Sequence, residues 1–244
     1  MNQNTTHKPT SEIIILAGGL GTRLQSVVSD LPKCMAPVNN KPFLFYVIRY
    51  FAQQGILNFI FSLGYKHEII VDYLNRLQEQ NTYFSIKCSI EEEPLGTGGA
   101  IKKACTLTNT EHVFITNGDT LFKANTLILK NFHYIKNADC TLTLKPMKNF
   151  DRYGVIELNE GDSIKSFAEK KHYEQGLING GLYMLNVKKF ESESLPEKFS
   201  FETDYLEKFF NQRKMFGLVQ NEYFIDIGIP QDYNRAKQEL VISN

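Results

Sequence analysis

The run Gly18-Gly19-Leu20-Gly21-Thr22-Arg23 sets glycines, a hydroxyl and a guanidinium side by side. Glycines let a backbone turn sharply and bring its N–H groups onto phosphate oxygens. The arginine adds a planar cationic fork of matching geometry. Lys33, ten residues after Arg23, supplies a second cation. This is the chemistry of a polyphosphate cradle. Two other cradles fail: a dinucleotide-binding G-x-G-x-x-G run would need glycine where Leu24 stands, and no Gly-Lys-Ser/Thr tripeptide exists for a Walker A loop. A purely structural glycine turn would explain the glycines alone, but the two spaced cations make the pattern specific.

Carboxylates form the second group. Asn117-Gly118-Asp119 follows the apolar run His112 to Thr116, at the carboxyl end of an expected strand, where ligands of α/β sheets gather. Asp226 lies in the otherwise apolar Phe224-Ile225-Asp226-Ile227, where an uncompensated carboxylate would cost several kcal/mol. Two hard oxygen donors beside phosphates suggest Mg²⁺, one or two ions, with water and phosphate oxygens completing an octahedron. An aspartate satisfied by backbone turns is the alternative for either one. The five histidines show no partner and no metal spacing, and read as surface or core residues.

The elements that must position these groups follow from hydrophobic period. Strands are expected at Glu12 to Ala17, Leu57 to Leu63, Tyr83 to Ile90 and His112 to Thr116, and helices at Pro42 to Gln54, Glu68 to Leu77 and Gly99 to Leu107. That alternation predicts a parallel sheet covered on both faces. The later chain reads as strands at Cys140 to Lys145, Tyr153 to Leu158, Ser163 to Glu169, Gly181 to Val187 and Tyr223 to Ile227. A hairpin turn is expected at Asn159 to Asp162, with helices at Thr203 to Asn211 and Gln231 to Leu240. The fold class is α/β, a Rossmann-like mixed, mainly parallel sheet flanked by helices, with a small antiparallel extension. Residues 1–11 read as a flexible tail and 12–244 as one domain, with a nucleotide half (12–120) and a sugar-phosphate half (121–244).

Composition narrows the class further. The 244 residues are 42% hydrophobic and 22% charged, which excludes disordered and collagen-like chains. Twenty-seven basic and 27 acidic side chains balance, so no cationic surplus favours nucleic acid. Cys34, Cys88, Cys105 and Cys140 lie far apart, fitting neither a zinc site nor a disulfide framework. No apolar run approaches the ~20 residues needed to span a bilayer. The expectation is a soluble, cytoplasmic protein that acts on small molecules, with homo-oligomerisation left open.

Together, G-G-x-G-T-R, the lysine ten residues on, and the aspartates resemble the sugar-1-phosphate nucleotidyltransferases, from about Glu12 to Leu240. That resemblance implies a nucleoside triphosphate and a sugar phosphate bound side by side. It assigns the nucleotide to Leu16, Ala17, Gly18, Gly19, Gly21, Thr22, Arg23, Lys33, Glu91, Pro94, Gly96, Thr97, Gly98, Asn117 and Gly118, with Arg23 and Lys33 also catalytic. Gly96 and Gly98 would admit a flat base, and Glu91 would accept hydrogen bonds from guanine, a solvated acidic turn being the alternative. Asp119 and Asp226 would hold the metal. Tyr153, Gly154, Glu169, Lys170, Asn179 and Gly180 would hold the sugar phosphate, with Asn179-Gly180-Gly181 and Tyr153-Gly154 as loops. Cys34 stands where relatives usually carry proline, and receives no catalytic role. Within that family, the stretches Phe150 to Gly154, Gln175 to Gly181 and Glu197 to Glu202 look most like members acting on a heptose 1-phosphate, a resemblance that implies guanylyl transfer from GTP for surface polysaccharide synthesis. Transfer to mannose 1-phosphate, or of a uridylyl group to an amino-sugar phosphate, is the alternative, and a non-catalytic nucleotide-sugar-binding subunit is the non-enzyme one.

Overall fold

The computed structural model describes residues 11–19, 24, 28 and 30–241 of the chain. The expected tail falls almost wholly outside the described residues, as do Gly21, Thr22 and Arg23.

In chain order the elements begin with strand β1 (Glu12–Leu16), a 3-10 turn at Lys33–Met35, and the short ribbon β2 (Pro37–Val38) and β3 (Lys41–Pro42). Helix α1 (Phe43–Gln53), β4 (Asn58–Leu63), α2 (His67–Gln80), β5 (Ser85–Ile90), α3 (Gly96–Cys105) and β6 (His112–Asn117) follow. Next come β7 (Thr120–Phe122), α4 (Thr126–Ile135), β8 (Cys140–Phe150), β9 (Val155–Leu158), β10 (Ile164–Ala168) and β11 (Tyr173–Asn186). The chain continues through α5 (Val187–Glu191), a π-helical stretch Phe201–Leu206 running into α6 (Glu207–Phe209), β12 (Met215–Val219), β13 (Phe224–Asp226) and α7 (Pro230–Glu239).

The first four long strands pair in parallel in the order β6-β1-β4-β5, as their buried β-branched and aromatic runs require. Strict alternation divides their side chains between two cores: Ile13, Ile15, Phe59 and Phe61 enter one, Ile14 and Ile60 the other. Beyond β6 the sheet turns antiparallel, with β11 bound to β6, β8 and β9, and β10 on the far edge. No helix among the described residues is long and apolar enough to cross a membrane.

Several boundaries differ from the sequence reading. Asn179-Gly180-Gly181 is not a loop but a bulge within the continuous β11, where the register against β8 shifts between Asn179 and Tyr183 and Gly181 adopts φ +70°. β8 runs past Pro146 to Phe150; β12 ends opposite Leu144, so beyond it β8 has a free side that tolerates a missing N–H. Helix α3 starts at Gly96 rather than Gly99. Helix α4 and strand β12 are absent from the sequence reading, although Asn125 caps α4 by accepting from the N–H groups of Leu127 and Ile128.

Candidate active site

Asp119 occupies the turn between β6 and β7, and β7 pairs antiparallel with β13 so that Asp226 lies opposite Thr120. The N–H of Ile227 donates to the Asp119 carbonyl at 3.1 Å, locking that register. A two-stranded ribbon therefore brings together carboxylates far apart in sequence. Between them stands Lys33, whose Nζ is 2.5 Å from Asp119 Oδ2 and 3.4 Å from Asp226 Oδ1. The 3-10 turn that presents Lys33 begins after Pro32, and Met35 donates back to the Pro32 carbonyl. Both aspartates keep part of their surface open, 32% and 21% of the side chain. The neighbouring Cys34 thiol is pushed up to about 12 by burial and by the Asp119 carboxylate. At neutral pH the thiol therefore stays protonated.

Asp226 has further partners. Its Oδ1 accepts from the Gly228 N–H at 2.7 Å, and its Oδ2 from the Tyr153 hydroxyl at 3.4 Å. Burial and the carboxylate beside it raise the Tyr153 phenol, so it remains a donor. Arg152, which the sequence reading passed over as a site residue, pairs with Asp232 of α7 and reaches Asp226 Oδ2 at 3.6 Å. Its signal was only an arginine beside an assigned tyrosine.

Tyr153, Gly154, Glu169, Lys170, Asn179 and Gly180, assigned from sequence to the sugar phosphate, all border one cavity of about 690 Å³, which Asp226 and Asn117 also line. Glu169 and Lys170 are exposed, and their side chains make no hydrogen bond or ion pair among the described residues. Asn179 is partly committed: its Oδ1 accepts from the Gly181 N–H and its Nδ2 donates to Tyr183 Oη at 2.8 Å, fixing the bulge. One amide hydrogen remains for a ligand. Glu202, Thr203 and Glu207, which also line the cavity, come from the π-helical stretch and α6. Burial and the carboxylates of Glu169 and Glu202 raise the Glu207 carboxyl.

On the base side the structure changes the reading of the glycines. A Cβ at Gly98 would lie 2.1 Å from the Phe199 ring, and one at Gly96 2.5 Å from the Phe199 carbonyl oxygen. The close neighbour of both glycines is the protein's own Phe199, and the Gly98 N–H donates to its carbonyl at 3.0 Å. The Thr97 hydroxyl is also occupied within the chain, by Glu202 and the Phe201 N–H. Glu91 is not a solvated turn: Oε1 accepts from Ser62 Oγ at 3.2 Å and Oε2 from the Leu95 N–H at 3.0 Å. Pro94 is exposed. The carboxylate of Glu91 lies beside Gly18, and Gly19 is exposed just beyond, so the start of the glycine-rich run and the Glu91 turn share one rim. Leu16, Ala17 and Gly118 support that rim through backbone bonds: Gly118 N–H to Leu16 carbonyl and Ala17 N–H to Ser62 carbonyl, both 2.8 Å.

The histidine reading also needs correction. His112 Nδ1 and His133 Nε2 are 2.9 Å apart, and His133 Nδ1 meets Thr141 Oγ1 at 2.8 Å. They form a chain from half-buried His112 to buried His133 and Thr141, at the opposite end of β6 from Asp119.

The chain is 54% identical over 231 residues to the D-glycero-α-D-manno-heptose 1-phosphate guanylyltransferase of Aneurinibacillus thermoaerophilus, covering 94% of this chain and 98% of that protein. It is 44% identical to the enzyme of the same name from Campylobacter jejuni, covering 91% and 96%. The crystal structure of HddC from Yersinia pseudotuberculosis superposes with a TM-score of 0.85 at 38% identity, over 94% of this chain and 99% of that one. A second crystal structure of that protein, complexed with GMP-PN, superposes with a TM-score of 0.84 at 37% identity, with the same coverage. The model of the nucleotidyl transferase family matches residues 12–242, and the chain belongs to that family.

Proposed function

We propose that this enzyme transfers a guanylyl group from GTP to D-glycero-α-D-manno-heptose 1-phosphate, releasing pyrophosphate. The observation that carries the reading is one cavity bordered by all six sugar-phosphate residues and by Asp226, whose carboxylate pairs with Lys33. The names of the two most similar relatives described above support the choice of base and sugar.

An oxygen of the sugar phosphate attacks the α-phosphorus of GTP as the bond to the β-phosphate oxygen breaks. A phosphate monoester with a second pKa near 6 is already an anion at neutral pH, so no general base is needed. Catalysis consists of holding two mutually repelling anions in line and neutralising charge as pyrophosphate departs. Lys33 supplies one fixed positive charge at that point, and the glycine-rich run with Arg23 is assigned the triphosphate. Lys170 lines the cavity without a hydrogen bond or ion pair among the described residues and is assigned the sugar phosphate.

Asp119 and Asp226 are two hard oxygen donors turned toward one positive centre, a donor set suited to Mg²⁺. Among the described residues no group of three or more His, Cys, Asp or Glu side chains forms a metal cluster. The remaining coordination positions are therefore assigned to water and phosphate oxygens. The ion would polarise the transferring phosphoryl group. Residues 12–244 are read as one domain with a nucleotide half and a sugar half. The four unpaired cysteines support a reducing, cytoplasmic setting.

The test is pyrophosphate release by the purified enzyme with Mg²⁺, four nucleoside triphosphates and heptose, mannose and hexosamine 1-phosphates. GTP with the heptose phosphate should give the highest kcat/KM. A higher value for UTP with a hexosamine phosphate, or for GTP with mannose 1-phosphate, would replace the proposed substrate pair.

A further inference from the structure

The Leu95–Gly98 turn and the Phe199–Glu202 segment are joined by hydrogen bonds in both directions. Phe199 N–H donates to the Leu95 carbonyl and Gly98 N–H to the Phe199 carbonyl, each at 3.0 Å. Thr97 completes the seam: its Oγ1 donates to Glu202 Oε2 at 2.6 Å and accepts from the Phe201 N–H at 2.9 Å. Ser200 Oγ, the cap of the π-helical stretch, donates to the same carboxylate oxygen at 3.1 Å. Glu202 lines the sugar-side cavity while these donors hold its Oε2. Its carboxylate is therefore fixed in direction, with Oε1 receiving no hydrogen bond among the described residues. A carboxylate held in this way is a directed acceptor for sugar hydroxyls, and charge-assisted hydrogen bonds are the strong ones.

We propose that Thr97 is a positioning residue for the sugar side: through its hydroxyl it orients Glu202 to receive hydroxyl groups of the sugar phosphate. This rests on the guanylyltransferase reading and reassigns Thr97, which sequence places on the nucleotide. The seam also links the turn held by Glu91 to the sugar-side wall, so the two substrates meet a common rigid unit.

The test compares Thr97→Val, Thr97→Ala and Thr97→Ser by steady-state kinetics, varying the sugar phosphate and GTP separately, with melting temperatures alongside. Removing the hydroxyl should raise KM for the sugar phosphate by about tenfold, the scale of one hydrogen bond to a charged group. KM for GTP should stay within about twofold, and Thr97→Ser should restore the sugar-phosphate KM. A rise in GTP KM alone, no change in either KM, or failure of serine to rescue would each overturn the proposal. If valine prevents folding, alanine, which lacks the branched methyl groups, carries the same comparison. Should the wild-type enzyme not turn over GTP with the heptose phosphate, the substrate reading fails by itself. The same split is then read by calorimetric titration of GTP and of mannose, heptose and hexosamine 1-phosphates into wild type and variants, and loss of sugar-phosphate affinity alone would support the assignment. Loss of GTP affinity, or binding of no sugar phosphate by the wild type, would overturn it.

Discussion

The sugar-side cavity and the base-side turn were assigned from sequence on similar signals, glycines next to polar residues, yet they meet different ends. In the cavity, Lys170 and Glu169 face open space. At the turn, Thr97, Gly96 and Gly98 face the segment Phe199 to Glu202. Glycine does not separate the two regions. A Cβ would collide with Phe199 at Gly98 (2.1 Å), and equally with Phe122 at Gly180 in the cavity wall (2.4 Å). Glycine reports close packing, whether the neighbour is a ligand or the chain itself. What sets the proposed binding wall apart is polar side chains with capacity left over after their bonds among the described residues are made.

The comparison breaks first, and most severely, where the two regions join. Lys33→Ala or Asp226→Ala should lower turnover by at least ~10²-fold, the scale of losing one preorganised charge partner. Single-turnover rates at saturating substrates measure this directly, and near wild-type values in either variant would remove these residues from the chemistry.

Lys170→Ala should act on binding. One charge-assisted contact is worth roughly 1.5–3 kcal/mol, so KM for the sugar phosphate should rise about tenfold or more. Lys170 is exposed and forms no hydrogen bond or ion pair among the described residues, so the melting temperature should stay close to that of the wild type. Gly98→Ala should do the reverse. Forcing a methyl into the Phe199 ring should cost about 1–3 kcal/mol of folding stability, read by urea denaturation. Phe199→Leu in the same chain should recover part of that loss. Equal effects of both substitutions on stability and on KM would erase the distinction between the regions.

The parallel half of the fold was legible because buried strands and amphipathic helices announce themselves by period, as Glu12 to Ala17 and Pro42 to Gln54 do. The convergence of Lys33, Asp119 and Asp226 was legible through the family resemblance: Lys33 follows Pro32 and Asp119 a strand end, while Asp226 stands inside the short strand β13 as a carboxylate among apolar residues. Less so was β11, where a bulge at two glycines reads as a loop because sequence shows the kink and not the pairing on either side. Helix α4 has exposed Leu127, Ile128 and Ile135 around its outer face, which blurs the amphipathic stripe that would have revealed it. The partners of Thr97 and the base-side glycines lie about a hundred residues away, and local pattern carries no trace of such contacts. Arg152 was hidden likewise, its partner Asp232 being fixed only once α7 is placed.

A third polar cluster lies outside both regions and serves as their control. His133 is fully buried, and burial together with the neighbouring His112 lowers its pKa from 6.5 to about 3. Both ring nitrogens are within hydrogen-bond distance of protein partners, so the folded state holds the neutral ring while the unfolded chain takes up a proton below pH 6.5. The stabilisation is complete above that pH and is lost progressively as pH falls from about 6.5 toward 3. Between pH 7 and 5.5 the loss should be about 1 kcal/mol, and urea denaturation at the two pH values measures it. His133→Gln, which cannot titrate there, should flatten the dependence. KM for the sugar phosphate should show no matching difference between wild type and this variant, because the histidines sit at the far end of β6 from Asp119. A parallel shift in KM would mean that the cavity and the histidine pair are coupled through the strand, and that leftover hydrogen-bonding capacity alone does not mark where the ligand binds.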